Sequence, residues 1–358
     1  MNSPTPVSQK SFAQRVLPKL LVSLVLGGLF AWVASRGGVP LLPSREAFAQ
    51  VKWWAVPGYI LALAVTHFVR ATRWRFLIAP VKHVPLKEVV AINWIGFFAI
   101  FVMPLRLGEL ARPALSKIRE GIPISAGVGT VAVERILDGL ITSACVAWAI
   151  FALPRLPTTD PIARNVPYYG MLALTVFACA FVALGLFLWQ RNFAVKLTEI
   201  TVGLVAPKLA RTLAEKIDQV ALGVRSIADI KLASGFLFES LLYWALNAAG
   251  MWLLAWGCGI PMSPGHAVAV MGVLAIGILL PAGPGLFGTF QLGILVGLKL
   301  YFPEQLVSAA GGVYIFLLYG IQLTGICLAG IIPLYAMQVR FSDLVRAPGP
   351  KTIPPPPA

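Results

Sequence analysis

Apolar runs of about 20 residues recur along the chain from Leu17 to Gln338, and each is long enough to cross roughly 30 Å of hydrocarbon as a helix. Six look like full crossings: about 17–35, 53–70, 122–152, 168–190, 235–257 and 305–338. Two more are interrupted. The run 86–104 is followed at once by Pro104, Arg106, Gly108, Glu109 and Arg112, and the run 265–300 holds Pro281, Ala282, Gly283, Pro284 and Gly285 at its middle. A spanning helix needs unbroken backbone bonding there, whereas broken backbone at membrane depth is tolerated when protein or a wet cavity covers it. Both runs therefore read as re-entrant hairpins. The expected fold class is an all-α polytopic membrane protein of about six full spans plus two re-entrant hairpins.

The basic residues bear on this arrangement. With the N-terminus inside, inner segments hold 22 of the 29 Lys and Arg, outer loops hold six (Arg36, Arg45, Lys52, Arg155, Arg164, Lys299), and Arg135 falls within a span. Reading the first hairpin as a full crossing would move the cluster from Arg106 to Arg119 outside and invert everything after it, against the basic bias of cytoplasmic loops. Eight full spans is the competing topology. Counting elements gives two spans, an inner-side hairpin and a span, then two spans, an outer-side hairpin and a span, which is an inverted repeat. Pro104-Leu-Arg-Leu-Gly108 and Pro281-Ala-Gly-Pro-Gly285 share P-x-x-x-G spacing at corresponding places. Inverted halves with interrupted helices mark transporters, with the substrate site between the halves.

Composition narrows the function classes. Of 358 residues 58% are hydrophobic and 12% charged, with a mean hydropathy of +0.82, against about 25% charged in soluble domains, which excludes a soluble enzyme. The net charge of +15 then reports loop bias rather than nucleic-acid binding. Cys145, Cys179, Cys258 and Cys327 lie in separate apolar runs with no C-x-x-C pair, so they read as packing residues. No small-residue cleavage site follows the first run, which reads as a retained span. Residues 193–231 are more polar, with apolar positions every three or four residues, and read as amphipathic helix on the inner face, either near lipid headgroups or as a solvated connector. The tail 341–358, with Pro354 to Pro357, reads as disordered.

Charged side chains at membrane depth cost several kcal/mol and call for a partner or a function. Glu109 and Arg112 follow the first hairpin, and Glu134, Arg135 and Asp138 lie within the next span, with Glu134 and Asp138 on one helical face and Arg135 three residues from Asp138. An arginine there can pair with a carboxylate or leave donors for a phosphate, while a Glu–Arg network can also simply lock elements together. Arg70, Arg73, Trp74 and Arg75 close the second span, where an aromatic among basic residues suits interfacial anchoring; alternatively Arg73 or Arg75 gathers anionic headgroups. In the second hairpin Pro281, Gly283, Pro284, Gly285 and Gly288 free backbone groups, and Thr289 and Gln291 add neutral hydrogen-bonding groups. The scattered histidines His67, His83 and His266 form no enzyme or metal motif.

Taken in order, Arg70-x-x-Arg73-Trp74-Arg75, Pro104-x-Arg106-x-Gly108-Glu109-x-x-Arg112 with Glu134-Arg135-x-x-Asp138, and Pro281-x-x-Pro284-Gly285-x-x-Gly288-Thr289-Phe290-Gln291 give the chain its resemblance to a known family. It resembles the lysylphosphatidylglycerol synthase transmembrane-region family, the flippase-like membrane proteins, over nearly all of residues 15–340. The order of elements gives a single transmembrane domain over 1–340, with inverted halves about 15–152 and 165–340, and the resemblance implies that it moves or handles a lipid. In the family's best-known members this region is fused to a soluble aminoacyl-transfer domain, for which these mostly apolar residues leave no room, so lipid synthesis is not expected. Many relatives place Gly-Gly and an acid in the second hairpin, where this chain has Gly285-Leu286 and Gln291, which tells against a cationic headgroup.

The expected function is thus a translocase for an anionic or phosphate-bearing lipid in the cytoplasmic membrane, both termini cytoplasmic, working by motion of one half against the other. Arg112 and Arg73 would bind phosphate, and Glu134, Arg135 and Asp138 would line or gate the path. No cofactor is expected, and lipid-synthesis enzymes are candidate partners. A membrane-embedded lipid-modifying enzyme and a non-transporting scaffold are the alternatives.

Overall fold

The structure, a computed structural model, describes residues 43–103, 108–158, 160–190, 207–280 and 283–337, with a few isolated positions outside these stretches. Most of the expected first span over 17–35, Arg106, Pro281, most of 193–206 and the tail 341–358 lie outside the described residues.

The elements are α1 (Arg45–Ala49), α2 (Ala55–Thr72), α3 (Trp74–Ile78), α4 (Leu86–Val102), α5 (Ala111–Glu120), α6 (Ile124–Ala152), α7 (Pro161–Trp189), α8 (Pro207–Val224), α9 (Ile230–Gly257), α10 (Pro264–Gly277), α11 (Thr289–Lys299) and α12 (Gly312–Ala336), with no strand among the described residues. Among the described residues five segments are long and apolar enough to cross a membrane: Ala55–Ile78, α6, α7, α9 and Glu304–Ala336. The chain is an all-α, multi-pass membrane protein. Its boundaries follow from local chemistry. Asp160 accepts from the Ile162 and Ala163 amides ahead of Pro161, Asp229 does the same for Lys231 and Leu232, and Gly121 ends α5 in a left-handed turn (φ 70°).

Leu86–Val102 and the return limb through α5 form an antiparallel hairpin. Gly108 lies against the Ala99 backbone, Arg112 passes over Gly96 and bonds Asn93, and Arg119 pairs with Glu88 at 3.0 Å. The chain turns back here instead of crossing, and at about 1.5 Å per residue the 17 residues of α4 reach some 25 Å deep. The second hairpin pairs the same way. Gly293 faces Leu274, Gly297 faces Val270, and the His266 and Tyr301 rings lie 5.0 Å apart at the open end. Its tip needs Gly285 and Gly288 at φ 73° and 88°, a backbone that disfavours any side chain.

The two hairpins open toward opposite ends of α6. Taking the α6 N-terminus as the lower end, the first hairpin's mouth lies there, one short turn before Ile124, with Lys82 held to Glu120 at 2.7 Å. The second opens at the upper end, where the Leu156 amide bonds the Leu300 carbonyl and Lys299 pairs with Asp160 at 3.3 Å. α6 has 29 residues, or about 43 Å, so the mouths are a membrane thickness apart. Exposed Trp53 and Trp54 at the upper end, with Lys52 over the Trp256 ring, and exposed Trp189 and Tyr335 below make aromatic girdles. None of the most apolar stretch of α7 is buried, as a lipid-facing helix requires. α8 packs flush on the lower part of α6, through Gly129 against Val220 and Gly223 against Ala126, with Ser125 bonded to Gln219.

Candidate functional site

Five polar side chains meet in the lower half of the bundle because helical spacing turns them to one point. Arg73, from the α2–α3 junction, is fully buried and grips Asp138 of α6 with both terminal nitrogens at 2.6 and 2.7 Å. It also bonds Ser240 of α9 at 3.1 Å and approaches Glu134 at 3.3 Å. Arg112 of α5 donates to Glu134 at 2.6 Å and to Asn93 of α4 at 2.9 Å, and Gly96 is what leaves room for its stem. Arg135 pairs with its neighbour Glu134 and, at 3.4 Å, with Asp138, while the Trp244 indole donates to Asp138 at 3.1 Å. Both carboxylates are thereby saturated with donors, and α3, α4, α5, α6 and α9 are joined through them.

Above this lock α2, α4, α6, α9, α10, α11 and α12 leave a chamber of about 120 Å³, room for several waters. Phe97, Ile100 and Phe101 of the first hairpin and Leu274, Leu286 and Phe290 of the second form its apolar walls, so the two hairpins meet around it. Its polar wall carries His67, Arg70, Arg135, Asp138, Thr142, Asn247 and Gln322.

Of the residues singled out from sequence, Arg135 and Asp138 line the chamber, whereas Arg73, Arg112 and Glu134 form the layer beneath. Arg112, expected to turn donors toward a phosphate, is 1% exposed and bonded to Glu134. Anchoring is not the role of Arg73 and Trp74 either: both are wholly buried, and the Trp74 indole bonds Thr130 at 3.1 Å, while Arg75 is partly exposed and paired with Glu239. Glu109 is half-buried and adds a third carboxylate to the field around Arg135. Gly108 closes the first hairpin, while Gly283, Pro284, Gly285 and Gly288 build the second turn. Thr289 and Gln291 are committed to that turn, Thr289 donating to the Leu286 carbonyl at 3.0 Å and Gln291 accepting from the Gly288 amide at 2.7 Å.

A family model describing the lysylphosphatidylglycerol synthase TM region matches residues 19–325, a stretch that contains the lock, both hairpins and the chamber. The chain belongs to that family. No curated protein and no solved structure matches it. Membership in the lysylphosphatidylglycerol synthase TM region family ties the chain to membrane-lipid chemistry and leaves the role of each chamber residue to geometry.

Sequence reasoning missed Arg70, His67, Asn247 and Gln322 as chamber residues. The signal was present: Thr66, His67, Arg70, Arg73 and Trp74 follow helical spacing, and lone amides within apolar spans are costly unless something uses them.

Proposed function

We propose that the protein moves an anionic, phosphate-bearing lipid across the cytoplasmic membrane, passing the headgroup through the chamber between the hairpins while the acyl chains stay in the bilayer. The observation that carries this reading is the chamber itself, a cleft with arginine and carboxylate on its wall where two hairpins from opposite ends meet. Opposed mouths at the ends of α6 support inverted halves, each giving the chamber a route to one leaflet. Membership in a lipid-associated family supports a lipid cargo. Lys82, Lys87, Lys117, Arg119, Lys216 and Lys231 near the lower end support placing that end in the cytoplasm.

Two measurements test this. Purified protein in liposomes should speed the arrival of inner-leaflet, tail-labelled phosphatidylglycerol at an external quencher, and Ala275→Trp, which fills the chamber without removing a charge, should abolish the gain. Exchange no faster than in empty vesicles favours an enzyme or a scaffold, and exchange undiminished in Ala275→Trp removes the chamber from the path. For topology, a single cysteine at Lys117, in a chain with the four native cysteines replaced by Ala, should react only with reagents admitted to the cytoplasm. Labelling from outside would invert the assignment.

A further inference from the structure

Three buried hydroxyls among the described residues have no hydrogen-bond partner, those of Tyr59, Tyr314 and Ser226. Ser226 sits in the lower connection between α8 and α9, whereas the two tyrosines come together near the upper end from different helices. Tyr59 of α2 and Tyr314 of α12 are 2% and 0% exposed, and Tyr314 stands within electrostatic reach of both Tyr59 and Cys258, the residue that caps α9. A phenol carries one O–H and two lone pairs, and burying it unbonded costs free energy. Phenylalanine would fill the same space without that cost, so a pair of tyrosines at one place points to a polar occupant that they share.

Their level in the bundle shows what they connect. Tyr59, Leu63, Thr66 and Arg70 form one stripe of α2, and Tyr314, Leu318 and Gln322 form one stripe of α12. Each tyrosine therefore stands two turns, about 11 Å, above a residue of the chamber wall, Thr66 in α2 and Gln322 in α12. Gln322 also stands beside the Tyr59 hydroxyl, short of bonding geometry. At the other end, Cys258 lies at the upper face, next to the point where the Lys52 amide bonds the Gly257 carbonyl at 2.8 Å. We propose that Tyr59, Tyr314 and Gln322 hold a file of water that joins the chamber to the upper face. A buried water makes about three bonds to groups otherwise unsatisfied, which two hydroxyls and an amide supply. The size of the chamber gives the file a use. Several waters fill it, and a polar group that enters must displace them. The bonded lock closes the chamber below, and the file gives displaced water a way out above. That use rests on the translocation reading; the water site does not.

Radiolytic footprinting of the full chain in detergent tests the file, because hydroxyl radicals made from bound water oxidise the side chains beside it however deeply they are buried. After correction for intrinsic reactivity, Tyr59 and Tyr314 should be oxidised several-fold faster than Trp74, which is wholly buried and bonded to Thr130 in the lower half. Rates no faster than at Trp74 would overturn the proposal. Tyr59→Phe and Tyr314→Phe give a second measurement. Dry hydroxyls would make either replacement raise the thermal midpoint, whereas losing a bond to water should leave it level or lower it, so a rise in either variant would also sink the file. Cys258, 5% exposed, should be oxidised in the wild type and several-fold more slowly in the double variant; undiminished oxidation there would count equally against it. Liposome exchange separates the two ideas. Exchange should slow in the double variant, and exchange at the wild-type rate there removes the outlet. A wild-type footprint at both tyrosines without exchange in any sample removes translocation and leaves the water site. Exchange in a wild type whose tyrosines are dry removes the file and leaves translocation standing.

Discussion

Glu134→Gln is expected to collapse the protein, with a loss of about 3–5 kcal/mol, because the carboxylate it removes is the partner of Arg112, Arg73 and Arg135 at once. Arg73 and Arg135 would be left with Asp138, Arg112 would lose the carboxylate it pairs with, and an unpaired charge there costs far more than the pair contributes. In detergent the variant should elute as aggregate on fluorescence-detected size exclusion. The paired replacement Arg73→Met with Asp138→Leu supplies the control, since deleting both ends of a buried pair is far less costly than deleting one. It should be more stable than Arg73→Met alone. A Glu134→Gln protein that melts within about 1 kcal/mol of wild type would show that the lock contributes little to stability.

The second large effect concerns the first hairpin. A methyl group on Gly108 would stand 2.1 Å from the Ala99 carbonyl carbon, a backbone atom of α4 that cannot move aside without opening the hairpin. Gly108→Ala should therefore destabilise by more than the roughly 1–3 kcal/mol of ordinary overpacking and expose the segment around residue 103 to protease. Gly96→Ala makes the complementary test. Its methyl would stand 2.2 Å from Arg112 Cγ, so the hairpin can still close but Arg112 must leave Glu134 and Asn93. A Gly108→Ala protein with wild-type melting and protease resistance would mean that the limbs do not pair as described.

The spans were legible because run length is a one-dimensional property: the apolar stretches near 122–152 and 235–257 became α6 and α9 with only their ends adjusted. The hairpins were legible from proline and glycine at membrane depth, and the mouths at opposite ends of α6 follow from where those breaks sit between spans. The lock was only half legible. Proximity of Arg135 to Asp138 follows from three-residue spacing within one helix, and the distance is 3.4 Å. The grip of Arg73 on Asp138 joins residues 65 apart in the chain, and spacing carries no information about such a partner. Without it, Arg73 and Arg112 looked like the donors facing a ligand and Arg70 like part of an interfacial anchor. Thr289 and Gln291 misled for a related reason, since a polar group near a backbone break serves the turn before it serves anything else.

The hydrogen bonds of Ser240 and Trp244 to Arg73 and Asp138 stitch the chain's later half onto its earlier one at a single level. A seesaw of whole halves would have to tear charged bonds out of a dry interior on every stroke. The lower tier is thus a fixed joint between distant parts of the chain, whereas the seam of α10 with α11 is made by glycine against aliphatic side chains, Gly293 on Leu274 and Gly297 on Val270.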